Sequence, residues 1–286
     1  MASSDDVITI GCGEWGFRQL PIEEHFAIAK KLGFNVMEFG IGGGQAGRLP
    51  AELSLSQIDA FVDLGERHHI QTPFCCLEND FTLPAADDHD RMLRQTLEQI
   101  EQAGDCGATH VRLFAGFTPA AAMTEPVWRR LLDALHLCDD LCRALHMTLA
   151  IETHGRITVQ NGAAHHEHTV TTDRTGLQRL LDELPPTVTF NYDPGNLKAV
   201  APDDTRYGLD LLDARIDYCH LKDWRRRGEG WEAVAIGDDD LDYATLLKQM
   251  TYRGVYLIEY EPTEDVEAGI QRSLEYLTRC GIQWQF

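Results

Sequence analysis

The stretch Val188–Asn196, VTFNYDPGN, reads as a short strand that ends by delivering an aspartate, a proline and a glycine in succession. Asp-Pro-Gly-Asn is good turn chemistry after a strand, and that is one reading. The other is that Asp193 stands at the open end of a barrel strand, where side chains from several strands build a site. One such residue decides nothing. The reading depends on whether other strands end in the same way.

Outward from this stretch, short apolar runs alternate with longer amphipathic ones along the whole chain. Strands are expected at Val7–Cys12, Val36–Gly40, Gln71–Cys76, His110–Ala115, Thr148–Thr153, Val188–Tyr192, Ile216–Leu221 and Val255–Tyr260. Helical patterns fall between them at Ile22–Leu32, Ser56–His68, His89–Cys106, Glu125–Leu145, Thr175–Leu184, Tyr207–Leu212, Tyr243–Met250 and Val266–Arg279. Leu131, Leu132, Leu135, Cys138, Leu141 and Leu145 form an apolar stripe near the helical period. LSLSQ and TTDRTG supply capping side chains at two helix starts, and Gly33, Gly107 and Gly254 stand where helices should stop. Strand-helix alternation without a linker or composition break predicts a single (β/α)8 TIM barrel spanning 1–286. A doubly wound sheet is the alternative. GIGGGQAG at Gly40–Gly47 matches G-x-G-x-x-G literally, but the following RLPAELS does not open a helix, so it reads as a flexible loop over the barrel mouth.

In such a barrel, chemistry belongs at the C-terminal ends of strands. The last four strands end as AIETHG, FNYDPGN, DYCHLKD and LIEYEP, delivering Glu152, Asp193, His220 and Glu259. A carboxylate at the apolar end of a strand is costly unless it is paired or bound to a cation. Three carboxylates together repel, and a divalent ion would offset the repulsion. Three oxygen-donor residues and one imidazole suit Mn²⁺ or Mg²⁺ and could hold Co²⁺ or Zn²⁺. Asp193 then reads as a metal ligand, with PGN turning the chain away from it. The competing reading is four ordinary strand-end residues held by salt bridges.

These segments resemble the sugar isomerase/epimerase superfamily of xylose isomerase-like TIM barrels. The resemblance runs from VITIGCGEWGF to GVYLIEYEP and is most specific in IETHG, YDPGN, CHLKDW and the final AIGDDDLDYATLLKQMTYRGVYLIEYE. It implies a Glu-Asp-His-Glu metal site mapping onto Glu152, Asp193, His220 and Glu259. It also implies a small carbohydrate or polyol substrate whose carbonyl and hydroxyl chelate the ion, which acts as a Lewis acid and stabilises an enediolate. One of Glu152 and Glu259 would remove the proton beside the carbonyl, and the other would return one. Manganese is the expected ion. IGDDD departs from the family's glycine pattern before the last helix. Asn196 stands where several members carry a histidine, which argues against a ketose 3-epimerase in particular.

Around that set, His154 lies two residues past Glu152, on the same side of the strand if alternation holds, and reads as a substrate contact rather than a plain loop histidine. Asn196 could bond a hydroxyl. Lys222 could reach a developing oxyanion, or pair with Asp223. Trp15 could wall the pocket against sugar C–H bonds. Glu38 reads as a buried structural residue, and Arg112 as its neutralising partner or a carboxylate anchor. The loop Arg156–Thr172 is long enough to act as a lid; its HHEH at His165–His168 reads as a polar loop cluster. RRR at Arg225–Arg227 could face an anionic substrate or be a solvated basic turn.

Bulk properties narrow the function classes. The 286-residue chain carries a net charge of −21, which opposes phosphate backbones and anionic membranes. No nucleic-acid or membrane partner is therefore expected. The related repair endonucleases need a histidine-richer three-zinc cluster, whereas no histidine follows His220. The eight cysteines show no CxxC pair and suit buried thiols in a reducing cytoplasm. No leader or membrane span is legible, so the expected location is cytoplasmic. Homo-oligomers are common among such barrels, but no interface is legible. A metal-dependent lyase on the same site is the strongest rival to an isomerase or epimerase. A non-catalytic sugar-binding barrel is the third class.

Overall fold

The computed structural model describes residues 7–286. Its chain order is β1 (Val7–Cys12), α1 (Ile22–Leu32), β2 (Val36–Ile41), α2 (Leu55–His68), β3 (Gln71–Leu77), α3 (Ala86–Asp105), β4 (His110–Leu113), α4 (Glu125–Ala144) and β5 (Thr148–Glu152). Then come a hairpin of β6 (Arg156–Gln160) and β7 (Ala163–Glu167), α5 (Arg174–Glu183), β8 (Thr189–Tyr192), α6 (Pro194–Val200), α7 (Leu209–Leu212) and β9 (Ile216–Leu221). A second hairpin of β10 (Asp223–Arg227) and β11 (Gly230–Val234) precedes α8 (Tyr243–Gln249), β12 (Val255–Ile258), α9 (Val266–Arg279) and β13 (Gln283–Gln285). No described helix is long and apolar enough to cross a membrane.

Eight parallel strands close into a barrel in the order β1, β2, β3, β4, β5, β8, β9, β12, with β12 pairing back onto β1. This is the (β/α)8 architecture expected from the alternation. β13 adds outside that count, lying along Val7–Thr9 of β1. Strand alternation sorts the side chains. Val36, Phe74, Ala150, Tyr218 and Leu257 form their own buried cluster, while the larger apolar core lies against the helices and includes Phe26, Leu131, Leu135, Phe190 and Ile270. Seven of the eight cysteines are buried, and all are free thiols.

The capping signals act as read: Ser54 and Gln57 make a capping box, and Asp173 accepts from Gly176 N at 2.8 Å. Gly254 differs. It does not take a left-handed conformation, and a Cβ there would strike the Tyr252 ring hydroxyl at 2.2 Å, so it makes room for that ring.

Three loop readings are corrected. PGN is no turn but the first turn of α6, with Asp193 as N-cap and proline at N1, where its missing N–H costs nothing. The glycine-rich segment is anchored to its surroundings: Gly42 N donates to Leu49 O, Leu49 N to Gly40 O, and Gly47 N to Arg18 O, at 2.8–3.0 Å. The supposed polar lid Arg156–Thr172 contains the β6–β7 hairpin. Asn161 and Gly162 both take positive φ at its tip, as a two-residue hairpin turn requires. Both hairpins join into one four-stranded sheet in the order β10, β11, β7, β6, meeting at the single register pair Trp231–Ala164. His166 packs edge-on to Trp224 inside it.

Candidate metal centre

Glu152 ends β5, Asp193 and Glu259 follow β8 and β12 directly, and His220 is the penultimate residue of β9. The structure brings all four together: one donor atom from each lies within 4.8 Å of the others, and all four residues are buried. His220 Nδ1 faces the carboxylates, 3.4 Å from Glu259 Oε2, 3.8 Å from Glu152 Oε1 and 4.0 Å from Asp193 Oδ2. Its Nε2 is held 2.8 Å from Glu38 Oε1. Burial would lower the His220 pKa, but Glu259 and Glu38 raise it well above the usual range, so the ring on its own is charged; a cation at Nδ1 would displace that proton, while Glu38 keeps the one on Nε2. Glu38 also accepts from the Tyr218 hydroxyl, from Cys76 Sγ at 2.8 Å and from Glu14 N at 3.0 Å. Asn191 completes the clamp, taking the His220 N–H on Oδ1 at 3.1 Å and placing Nδ2 3.1 Å from the ring Nδ1.

The helix cap orients Asp193. Its Oδ1 takes the Asn196 N–H at 2.9 Å, which turns Oδ2 towards the cluster. Gly195 allows this helix to start so close to β9, since a Cβ there would meet Lys222 O at 2.6 Å. The Asn196 amide donates to Glu152 Oε1 at 3.1 Å and Asp193 Oδ2 at 3.0 Å, so it faces the carboxylates and is not among the residues lining the cavity.

Electrostatics divide the two glutamates. Burial alone would raise Glu152, but the charges of Arg112 and His220 outweigh it and hold its carboxyl below the usual carboxylate range. Arg112 Nε lies 3.0 Å from Glu152 Oε2, without the alignment of a hydrogen bond. Burial raises Glu259 to about 7 despite His220 and Lys222, and burial also raises Asp193. Glu38 goes the other way. Burial opposes its charge, yet His220 brings it down to about 2.

Lys222 does not pair with Asp223, which takes Lys198 at 2.9 Å instead. Its Nζ reaches Glu259 at 2.5 Å, Glu261 at 2.9 Å and Asp193 at 3.4 Å. Arg112 pairs with Glu152, not directly with Glu38 as its expected neutralising partner. RRR lies on the second hairpin: Arg225 and Arg227 meet Glu232, and Arg226 lies over the Trp231 ring.

A cavity of about 280 Å³ opens beside the cluster, bordered by Glu152, Glu259, Lys222, His154 and Trp15. Trp15 Nε1 donates to Glu261 Oε1 at 2.9 Å. Burial lowers His154 to about 4, and its ring stands edge-on to Phe114 and Phe117. Sequence reasoning missed Glu78, Phe114, Phe117, Ile157 and Glu261, which also line the cavity. Three were within reach of the period-2 rule: Glu261 follows Glu259 by two, Phe114 follows Arg112, and Glu78 follows Cys76. Arg48 was missed too. It is buried between Glu14 at 2.5 Å and Glu78 at 3.1 Å and donates to Cys76 O at 2.7 Å.

The donor set fits a divalent cation: three buried carboxylates converge, and an imidazole nitrogen is turned towards them.

A family model described as xylose isomerase-like TIM barrel matches residues 26–280. No curated protein matches the sequence. Solved structures share the fold at low identity. The 3-keto-D-glucoside 4-epimerase of E. coli, in its apo form, has a TM-score of 0.72 and 16% identity, over 96% of this chain and 100% of that one. A probable 3-DHS dehydratase of petrobactin synthesis from Bacillus anthracis has a TM-score of 0.73 and 14% identity, over 95% and 99%. A xylose isomerase-like TIM barrel protein from Mycobacterium smegmatis, in complex with magnesium, has a TM-score of 0.73 and 14% identity, over 98% of each chain.

Proposed function

The chain belongs to the xylose isomerase-like TIM barrel family, and on that premise we propose that it is a divalent-metal-dependent isomerase or epimerase of a ketose or related keto-polyol. The observation that carries this reading is geometric: Glu152, Asp193, His220 and Glu259, all buried, converge at the mouth of the barrel beside a cavity that two of them, Glu152 and Glu259, border. Two glutamates beside one cation site suit the two proton-transfer roles.

Glu152, Asp193, His220 and Glu259 would hold the cation, Mn²⁺ being our expectation. When bound, it supplies Lewis acidity that makes a C–H beside a carbonyl easier to deprotonate. The chain's own residues do the rest. One of Glu152 and Glu259 accepts the proton from carbon and the other returns one. Glu38 fixes the His220 ring through Nε2. Asn196 holds the Glu152 and Asp193 carboxylates in place through its amide. Lys222, on the cavity wall, holds the Glu259 and Asp193 carboxylates in place through its ammonium group. Trp15, Phe114 and Phe117 present apolar surface to the substrate's C–H faces, and His154 offers it a neutral imidazole.

A lyase is the second reading, supported by the dehydratase among the structural relatives. Proton NMR in D₂O on ketoses, inososes and 3-keto sugars with Mn²⁺-loaded protein separates the two. Deuterium next to the carbonyl with conserved mass balance supports isomerisation, and loss of water or carbon dioxide supports the lyase. Absence of exchange across the panel, with metal bound, would remove this substrate class.

A further inference from the structure

The cavity has two cationic side chains, Arg112 and Lys222, and neither is free for a substrate anion. Arg112 lies against Glu152 at 3.0 Å, its guanidinium also over the Phe114 ring. Lys222 is enclosed by Glu259, Glu261 and Asp193. The next cations out are also committed. Arg48 is closed between Glu14 and Glu78, and Arg18 donates to the Trp15 and Glu261 carbonyl oxygens at 2.7 and 2.8 Å. Four carboxylates line the cavity: Glu78, Glu152, Glu259 and Glu261. With Asp193 included, five carboxylates share these two side chains and a divalent ion, so no positive charge is left over for a substrate anion.

The loops that most often bind phosphate in this fold point the same way. Barrels commonly place a phosphate on the loops after the seventh and eighth strands. Here the seventh barrel strand, β9, runs into the hairpin whose Arg225 and Arg227 face Glu232. The eighth, β12, is followed by Glu259 and Glu261, and Glu261 borders the cavity. The remaining wall is Trp15, Phe114, Phe117 and Ile157, surface that suits C–H bonds.

We propose that the cavity selects an uncharged polyhydroxy carbonyl compound and rejects its phosphorylated or carboxylated counterparts. This rests on the isomerase reading and narrows its substrate class. A phosphate or carboxylate entering here would meet carboxylates and no uncommitted cation, and like charges brought together disfavour binding.

Calorimetric titration of the Mn²⁺-loaded protein with matched pairs tests it, D-fructose against D-fructose 6-phosphate and D-xylulose against D-xylulose 5-phosphate. The neutral member is expected to bind at least about tenfold more tightly in each pair that binds. Glu261→Gln, which releases Lys222 from one partner, should narrow that gap by tightening the phosphorylated member. Glu78→Gln, at a more open position, should narrow it less and serves if the first variant does not fold. Equal or tighter binding of the phosphorylated member by the unaltered protein overturns the proposal, as does a gap untouched by both variants. Deuterium exchange separates the two levels. Exchange on a tightly bound phosphorylated sugar would sink the charge inference and leave the isomerase reading standing. No binding and no exchange with any member, in protein that holds Mn²⁺, would sink both.

Discussion

The two halves of the barrel mouth use their ionisable groups differently. On the β1–β4 side, most side chains close on protein partners. Glu38 is met by Tyr218, Cys76, His220 and a backbone N–H, and Arg48 by Glu14, Glu78 and carbonyl oxygens. On the β5, β8, β9 and β12 side, Glu152, Asp193, His220 and Glu259 turn donor atoms towards one point, with Arg112 and Lys222 as the neighbouring cations. Three buried carboxylates at one point are a concentration of negative charge that a cation would offset. The first half behaves as a support and the second as a receptor for a cation.

Replacing Glu152 or Glu259 by glutamine presses hardest on that division. Each change is expected to lower turnover about 10²- to 10⁴-fold, read by deuterium exchange on the best ketose. If Glu38→Gln cost as much, the two halves would not differ in role. Arg112→Met comes next and tests the contact between them. It leaves Glu152 buried without its cation, a loss of about 3–5 kcal/mol in urea unfolding. The double variant Arg112→Met with Glu152→Gln should recover most of that loss, and failure to recover would mean that Arg112 acts by packing alone.

Smaller effects follow. Glu38→Gln is expected to weaken Mn²⁺ binding about 10- to 100-fold by calorimetry, since a neutral amide holds the imidazole less firmly. Unchanged affinity would demote the first half to scaffolding. The smallest effect concerns His25, whose ring stacks on Phe17 and which burial lowers to about 3. It is neutral in the folded state, while the unfolded chain protonates it below about pH 6.5. Its contribution is therefore fully present above that pH and is lost as pH falls towards 3. The loss runs at about 1.4 kcal/mol per pH unit for one proton. His25→Phe should flatten the acid limb of the stability curve by one proton's slope. An unaltered slope would place the titrating group elsewhere.

The second half was legible because its signals are local. Glu152, Asp193, His220 and Glu259 each sit where a short apolar strand runs out, and alternation alone suggested that His154 shares a face with Glu152. The first half was not, because its partners are remote in sequence. Glu38 is satisfied by Tyr218 and His220, and Arg48 reaches Glu14 and Glu78 from a glycine-rich loop. No spacing rule links such positions. Asp193 was read by half: its place was evident, but proline and glycine suggested a turn, and the helix they begin became visible only through its packing on Lys222. The hairpins were missed for another reason. NGAAHHEH looked too polar for a strand, yet Asn161-Gly162 between alternating residues is a strong hairpin signal. Its buried partner, Trp231, lies far along the chain.

The narrow seam between the two hairpins bears on how such cavities diversify. Each hairpin fixes its own register through five facing pairs, whereas between them the ladder consists of Trp231 opposite Ala164. Lengthening the Asn161-Gly162 turn, or the turn at Gly228, would leave the neighbouring hairpin's pairing intact. Below the turns the leaves are not independent: Ile157 and Ala164 of one pack with Trp224 and Trp231 of the other, and His166 meets Trp224 edge-on. Length can therefore vary at the hairpin tips, whereas an exchange at Ile157 is felt across the seam.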